Sequence, residues 1–265
     1  KLNPMLEETA CVRAKLASTD SRNAANRREF KDFDGGQLYL EHAGSPQRLK
    51  STSVRVLIVD ELDEFAASMV GGDDPIELLE GRTSAFPATY KRLYISTPTI
   101  LGISRIDADY EKSDRRRYYV PCPHCAEKQP LEWAGLRWGP KLDGALTGVA
   151  YVCRECGTLI DEHHKTAMLE GGEWRATATA ADPTTVGYHL SALYSPLGWK
   201  SWSDVAREWL AAQGSDETLR AARNTLLGET WVESGDAPEW QRLADRREAW
   251  KPGTVPVAGL FLTAG

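Results

Sequence analysis

The sequence has 265 residues, enough for one large domain or two modest ones. Its 42% hydrophobic and 26% charged content is ordinary for a globular protein, and its longest apolar runs are too short for a membrane-spanning helix. A net charge of −6 with a pI of about 5.5 excludes a wholly basic nucleic-acid coat and leaves room for a local basic patch. The opening residues, KLNPMLEETACVRAK, lack the apolar core and cleavage site of a signal peptide, so a cytoplasmic location is expected.

In chain order, KLNPMLEETACVRAKLAS reads as a helix with a mixed face, and Gly35–Gly44 as a short strand between turn glycines. Val54–Val59, apolar and rich in β-branched residues, predicts a central parallel strand buried on both faces. It ends abruptly in Asp60-Glu61, with Asp63 and Glu64 close behind. Asp74 is placed to cap a helix with Pro75 at its first position, running through IELLEGRTSAF. KRLYIST gives a second strand ending at Ser96-Thr97-Pro98-Thr99, and a short helix with Ser104 as N-cap follows. Strand, helix and strand in alternation predict an α/β sheet with right-handed crossovers. From about Tyr118 to Gly171 the texture changes to cysteines, short strands and turns. From about Tyr188 to Trp250 it becomes Trp-rich and helical.

Four of the five cysteines form two Cys-x-x-Cys pairs, Cys122/Cys125 and Cys153/Cys156. Two residues between partners let both sulfurs of a knuckle face one ion, and four thiolates close a tetrahedral shell, which predicts a structural zinc. The separation between pairs exceeds the usual spacing of about 15–20 residues, which implies a larger hairpin. A redox role would need a thioredoxin-like context that the sequence lacks. His124, inside the first knuckle, has no ligand position left to fill. Cys11 is expected to be a buried or inert thiol.

Asp60 at a strand end is suited to hold Mg²⁺, and Glu61 to polarise a water attacking a γ-phosphate; Ser96-Thr97 at the next strand end would sit near that phosphate. Acidic residues also end strands without any catalytic role. The phosphate-binding pattern Gly-x4-Gly-Lys-Ser/Thr has one near miss, Gly44–Ser51, with Leu49 in place of the second glycine and no room for a following helix. It is a decoy. Arg115, Arg116 and Arg117 form the obvious basic cluster and the best candidate for DNA phosphate contact. Trp199, Trp202, Trp209 and Trp231 are expected to be helical core, and His189 a packing histidine.

The blocks GGQLYLEHAGSPQRLKSTSVRVLIVDELDEF, GDDPIELLEGRT, YISTPT, SRIDADYEKSDRRRYYVPCPHCAEKQPLEW and RNTLLGETWVESGD resemble the large terminase subunit of tailed phages, the GpA-type family, over about Leu2 to Leu262. That resemblance implies an ATPase that drives double-stranded DNA into a prohead and a ribonuclease-H-like endonuclease that cuts it. It implies Mg²⁺ and ATP, a small terminase subunit, a portal and prohead, a homo-oligomeric motor and the bacterial host cytoplasm. Asp60 resembles the Walker B magnesium residue, Glu61 the catalytic glutamate, and Ser96 and Thr97 the coupling motif. The expected architecture is a partial P-loop-type parallel sheet (residues 1–117), a zinc-ribbon-like insertion (118–171) and a mostly helical linker (172–265) toward a nuclease. The family's phosphate loop and nuclease residues would then lie outside the chain, and the chain alone should be inactive. Two alternatives stand beside this: a stand-alone zinc-ribbon DNA-binding module, and a helicase-like ATPase of another class.

Overall fold

The computed structural model describes residues 2–16, 26–27, 29–42, 52–69, 71–142 and 145–233. The chain divides into two units, Lys1–Trp231 and Val232–Gly265; in the second, only Val232 and Glu233 are described. The near-miss loop Gly44–Ser51 and the apolar tail Val255–Gly265 lie outside the described residues.

The opening segment forms two short helices, Leu2–Glu8 and Ala10–Arg13, rather than one, and Cys11 is exposed on the second rather than buried. An antiparallel sheet follows, made of β1 (Asn26–Arg27), β2 (Phe30–Phe33) and β3 (Gly36–Tyr39). β4 (Val56–Asp60) then pairs in parallel with β5 (Lys91–Ile95), in step from Val56 opposite Lys91 to Asp60 opposite Ile95. The connection carries the helix Pro75–Gly81, with Asp74 Oδ1 accepting the Ile76 N–H at 2.8 Å as its cap.

β4 departs from the expectation of burial on both faces. Leu57 and Val59 pack with Leu62 and Leu79, whereas Val56 and Ile58 point outward at 50% and 58% exposure. Leu93 and Ile95 of β5 are also exposed. A strand's side chains alternate between faces, and among the described residues only one face of this pair has a packed layer.

The helix Arg105–Lys112 begins at Ser104, whose hydroxyl accepts the Asp107 N–H at 3.2 Å. Beyond it, β6 (Arg116–Pro121) organises a four-stranded sheet. β7 (Lys128–Pro130) pairs with it antiparallel. Two short sheets follow in the sequence: β8 (Leu136–Arg137), β11 (Ala150–Val152) and β12 (Leu159–Asp161) in one, β9 (Lys141–Leu142) and β10 (Ala145–Leu146) in the other. β13 (Glu173–Arg175) and β14 (Tyr188–His189) then return to β6, antiparallel and parallel respectively. The fold is thus mixed α/β, with one described parallel pair before residue 100 and mainly antiparallel strands after it.

One apolar core joins this β region to the helices that follow. Val120, Leu136, Tyr151, Ile160 and Met168 share it with Trp202, Val205, Leu226 and Leu227. Trp202 is fully buried, its indole N–H donating to the Leu193 carbonyl at 2.9 Å. Its helix, Trp202–Ala212, starts at a capping box in which Ser201 and Asp204 satisfy each other's backbone N–H groups. The helix Asp216–Ala222 runs into a π-helical turn, Arg223–Leu227, closed by Gly228 at φ 65°. Trp199 does not join this core. It is 84% exposed on the turn after Gly198.

Candidate functional site

Parallel pairing in step brings the carboxyl ends of β4 and β5 to one edge, where α/β sheets place their ligands. Asp60 is the last residue of β4 opposite Ile95, so Asp60-Glu61 and Ser96-Thr97 leave the sheet side by side. Asp60, Glu61 and Thr97 are exposed, and Ser96 is half-buried. Glu61 adopts a left-handed backbone (φ 55°, ψ 53°), a conformation that costs a non-glycine residue roughly 1–2 kcal/mol and that recurs at functional sites. The turn Leu62–Glu64 follows, pinned by the buried Leu62.

Ser96 works inward on this loop. Its hydroxyl accepts the Asp63 N–H at 3.1 Å and donates to the Thr97 carbonyl at 3.0 Å. Asp63, to which the sequence reading gave no role, is the hub of the site. Its Oδ2 accepts the Thr99 N–H at 3.1 Å and the Thr99 hydroxyl at 2.8 Å, and its Oδ1 accepts the Ile106 N–H at 2.9 Å. These partners lie 36 and 43 residues away, so no local sequence signal could have found them. Arg105 completes the frame with a 2.9 Å ion pair to Asp74. Burial pushes the Asp74 carboxyl up, but hydrogen bonds from Arg105 and Ile76 outweigh it and hold the group below the ordinary carboxylate value.

The four cysteines converge. Their sulfurs lie within 4.8 Å of one another, with Cys122 to Cys156 at 3.9 Å and Cys125 to Cys153 at 3.8 Å. A tetrahedron of metal–sulfur bonds of about 2.3 Å has edges of about 3.8 Å, so the set can hold a metal ion. The two knuckles are built alike. Cys122 N–H donates to the Glu127 carbonyl at 2.9 Å and Cys153 N–H to that of Thr158 at 3.0 Å; Ala126 and Gly157 N–H groups return to the Cys122 and Cys153 carbonyls, each at 2.9 Å. The first cysteine of each pair is buried in the core and the second is exposed. Hydrogen bonding with the Thr158 side chain and backbone brings the Cys156 thiol down to about 6, while burial raises that of Cys122. His124 packs its ring edge-on to His164, at 5.9 Å between centroids.

The arginine cluster is dispersed. Arg115 pairs with Glu111 at 2.9 Å, Arg116 with Asp114 at 2.7 Å and Arg117 with Glu132 at 2.8 Å. Alternation along β6 sends Arg116 and Arg117 to opposite faces of the sheet. His189 packs as expected: Nε2 lies 3.0 Å from the Gly228 carbonyl, and burial lowers its pKa.

The class of protein follows from comparison with known families. Residues 1–174 match the family model described as phage terminase large subunit gpA, ATPase domain, and residues 185–265 match that described as terminase large subunit gpA, endonuclease domain. The mixed α/β architecture agrees with the first of these. The chain belongs to the gpA family of phage terminase large subunits. It is 30% identical over 268 residues to the terminase large subunit of Enterobacteria phage P21, covering 91% of this chain and 40% of that protein. It is 26% identical over 290 residues to the terminase large subunit of Escherichia phage lambda, covering 100% of this chain and 44% of the relative. The chain therefore spans less than half the length of these relatives. No solved structure matches it. No helix among the described residues is long and apolar enough to cross a membrane.

Proposed function

We propose that this chain acts within a longer terminase large subunit that couples ATP hydrolysis to the translocation of double-stranded DNA into proheads and cuts that DNA. The observation that carries this reading is the joint exit of β4 and β5, which sets Asp60-Glu61 beside Ser96-Thr97 in a chain of the gpA family. In this reading Asp60 holds the Mg²⁺ of Mg-ATP, Glu61 orients and deprotonates the attacking water, and Ser96 and Thr97 respond to the γ-phosphate. Residues 1–117 serve as the later part of the ATPase. Residues 118–171 are a zinc-ribbon-like insertion, and residues from 172 onward lead to the endonuclease, whose family model matches from residue 185. Zinc is the ion that suits four thiolates, and it supplies folding energy rather than chemistry. A small terminase subunit, a portal and neighbouring motor subunits are the partners this function requires.

The pattern Gly-x4-Gly-Lys-Ser/Thr does not occur in the sequence, and in this reading other residues of the longer subunit hold the phosphates. The purified 265-residue chain should accordingly show no Glu61-dependent ATP turnover. The longer subunit carrying it should hydrolyse ATP and lose that activity on Glu61→Gln. Turnover by the isolated chain that disappears in Glu61→Gln, or full activity of the longer Glu61→Gln subunit, would overturn the reading.

Arg115, Arg116 and Arg117 remain candidates for DNA phosphate contact, because ion pairs this exposed contribute little and can exchange partners. Replacing all three with Ala should flatten the salt dependence of DNA binding; an unchanged slope removes them from the interface.

A further inference from the structure

We propose that Asp63 is a positioning residue for Asp60 and Glu61, and that Thr99 ties it to Asn224 in the segment matched by the endonuclease-domain model. The proposal rests on the reading of Asp60 and Glu61 as the hydrolytic pair and adds what holds that pair in place. Glu61 is left-handed and exposed, and its carbonyl accepts the Glu64 N–H at 2.9 Å within the turn. The loop is anchored two residues later, where the Asp63 backbone N–H binds Ser96 and its carboxylate collects three donors from Thr99 and Ile106. Hydrogen bonds to a charged acceptor are roughly twice as strong as neutral ones. Removing this acceptor also leaves three half-buried donors to find water.

Thr99 faces both ways. Its N–H and hydroxyl serve Asp63, while its carbonyl accepts the Asn224 side-chain amide at 2.8 Å and the Trp231 N–H at 2.9 Å. Leu101 N–H returns to the Trp231 carbonyl at 2.9 Å. Asn224 Nδ2 also donates to the Glu229 carbonyl at 2.8 Å, closing the π-helical turn on itself. π-turns are rare and concentrate at functional positions. A continuous chain of polar contacts thus runs from the carboxylate loop through Asp63 and Thr99 to Asn224. A displacement of the Arg223–Trp231 segment changes the setting of Glu61, and by linkage the reverse also holds.

The test is steady-state ATP hydrolysis by the full-length subunit carrying this chain, with kcat and KM measured separately. Asp63→Ala should lower kcat by about 10- to 100-fold, the scale expected for a small misplacement of reacting groups, with KM for ATP within about twofold because no ATP contact is removed. Thr99→Ser, which keeps the hydroxyl, should retain wild-type kcat, whereas Thr99→Val should lose about three- to tenfold. Asn224→Ala should lower kcat in the same direction. If Asp63→Ala does not fold, Thr99→Val against Thr99→Ser carries the comparison, since it differs by little more than one hydroxyl. Unchanged kcat in Asp63→Ala or Thr99→Val, a change confined to KM, or a silent Asn224→Ala overturns the proposal. Asp60→Asn separates the two readings. If it abolishes hydrolysis while Asp63→Ala does not, only the positioning role fails; if hydrolysis survives Asp60→Asn, the hydrolytic pair itself was misassigned and the positioning role falls with it.

Discussion

Ala126 and Gly157 occupy the same place in two different knuckles, each directly after the second cysteine, and both are left-handed, at φ 63° and 69°. The turn demands this conformation so that each N–H can reach back to the carbonyl of the first cysteine. Glycine adopts it freely and alanine does not.

Ala126→Gly should therefore stabilise the protein by about 1 kcal/mol, and Gly157→Ala should destabilise it by about as much. A Cβ at Gly157 would meet nothing within 4 Å, so its cost is backbone strain alone. Urea unfolding of both variants decides this. Two neutral substitutions would mean that the knuckles relax elsewhere.

The four-sulfur centre should bind one zinc per chain, and chelation should lower the melting temperature. Cys153→Ser, at a fully buried sulfur, should abolish binding and cost at least about 10 °C, since each kcal/mol is worth about 2–4 °C in a chain of this size. Elemental analysis with calorimetry reads both quantities. A metal-free protein with an unshifted transition would reject the assignment.

His189 should make the protein acid-sensitive. Burial, with Arg117 nearby, lowers its pKa below the ordinary histidine value of about 6.5 despite the Gly228 carbonyl, which favours the charged ring. The folded state then prefers neutral histidine, so below about pH 6.5 the unfolded state takes up the proton first. Stability from this group is full above 6.5 and falls as pH drops through that value. Urea midpoints measured from pH 8 to 5 should decline more steeply for the wild type than for His189→Gln. Coincident slopes would contradict the argument.

Lys165 is fully buried, with its amine against Glu162, 3.3 Å from the Lys200 carbonyl and 5.3 Å from the centre of the Trp202 ring. Glu162 also accepts the Trp202 N–H at 2.8 Å. Lys165→Ala leaves a carboxylate without its cation beside a cavity and should cost about 3–5 kcal/mol. Lys165→Met fills the space and should cost less. A loss under about 1 kcal/mol for the alanine variant would show that the pair contributes little.

Features encoded within a few residues were legible before any fold was known. Asp74 with Pro75, Ser104, and the two Cys-x-x-Cys pairs each carry their geometry in their spacing, and the structure has the caps and converging sulfurs they predict. Helix starts could be read for the same reason, whereas the helix from Pro75 stops at Gly81 instead of running through to Phe86. The run Val56–Val59 predicted a strand correctly but not its exposure, because periodicity reports side-chain character and not what lies over each face.

The sequence by itself determined the family, the carboxyl-terminated strand, and the two Cys-x-x-Cys pairs whose sulfurs converge. The tertiary structure alone decided how those pieces are held. It gave Asp63 its donors from Thr99 and Ile106 and spent Arg115, Arg116 and Arg117 on three separate carboxylates. It also left Trp199 in solvent while burying Trp202 three residues later. A carboxylate, a guanidinium or an indole is specified locally, but its partner is whichever group the folded chain brings within about 3–4 Å, and along the sequence that group can be anywhere.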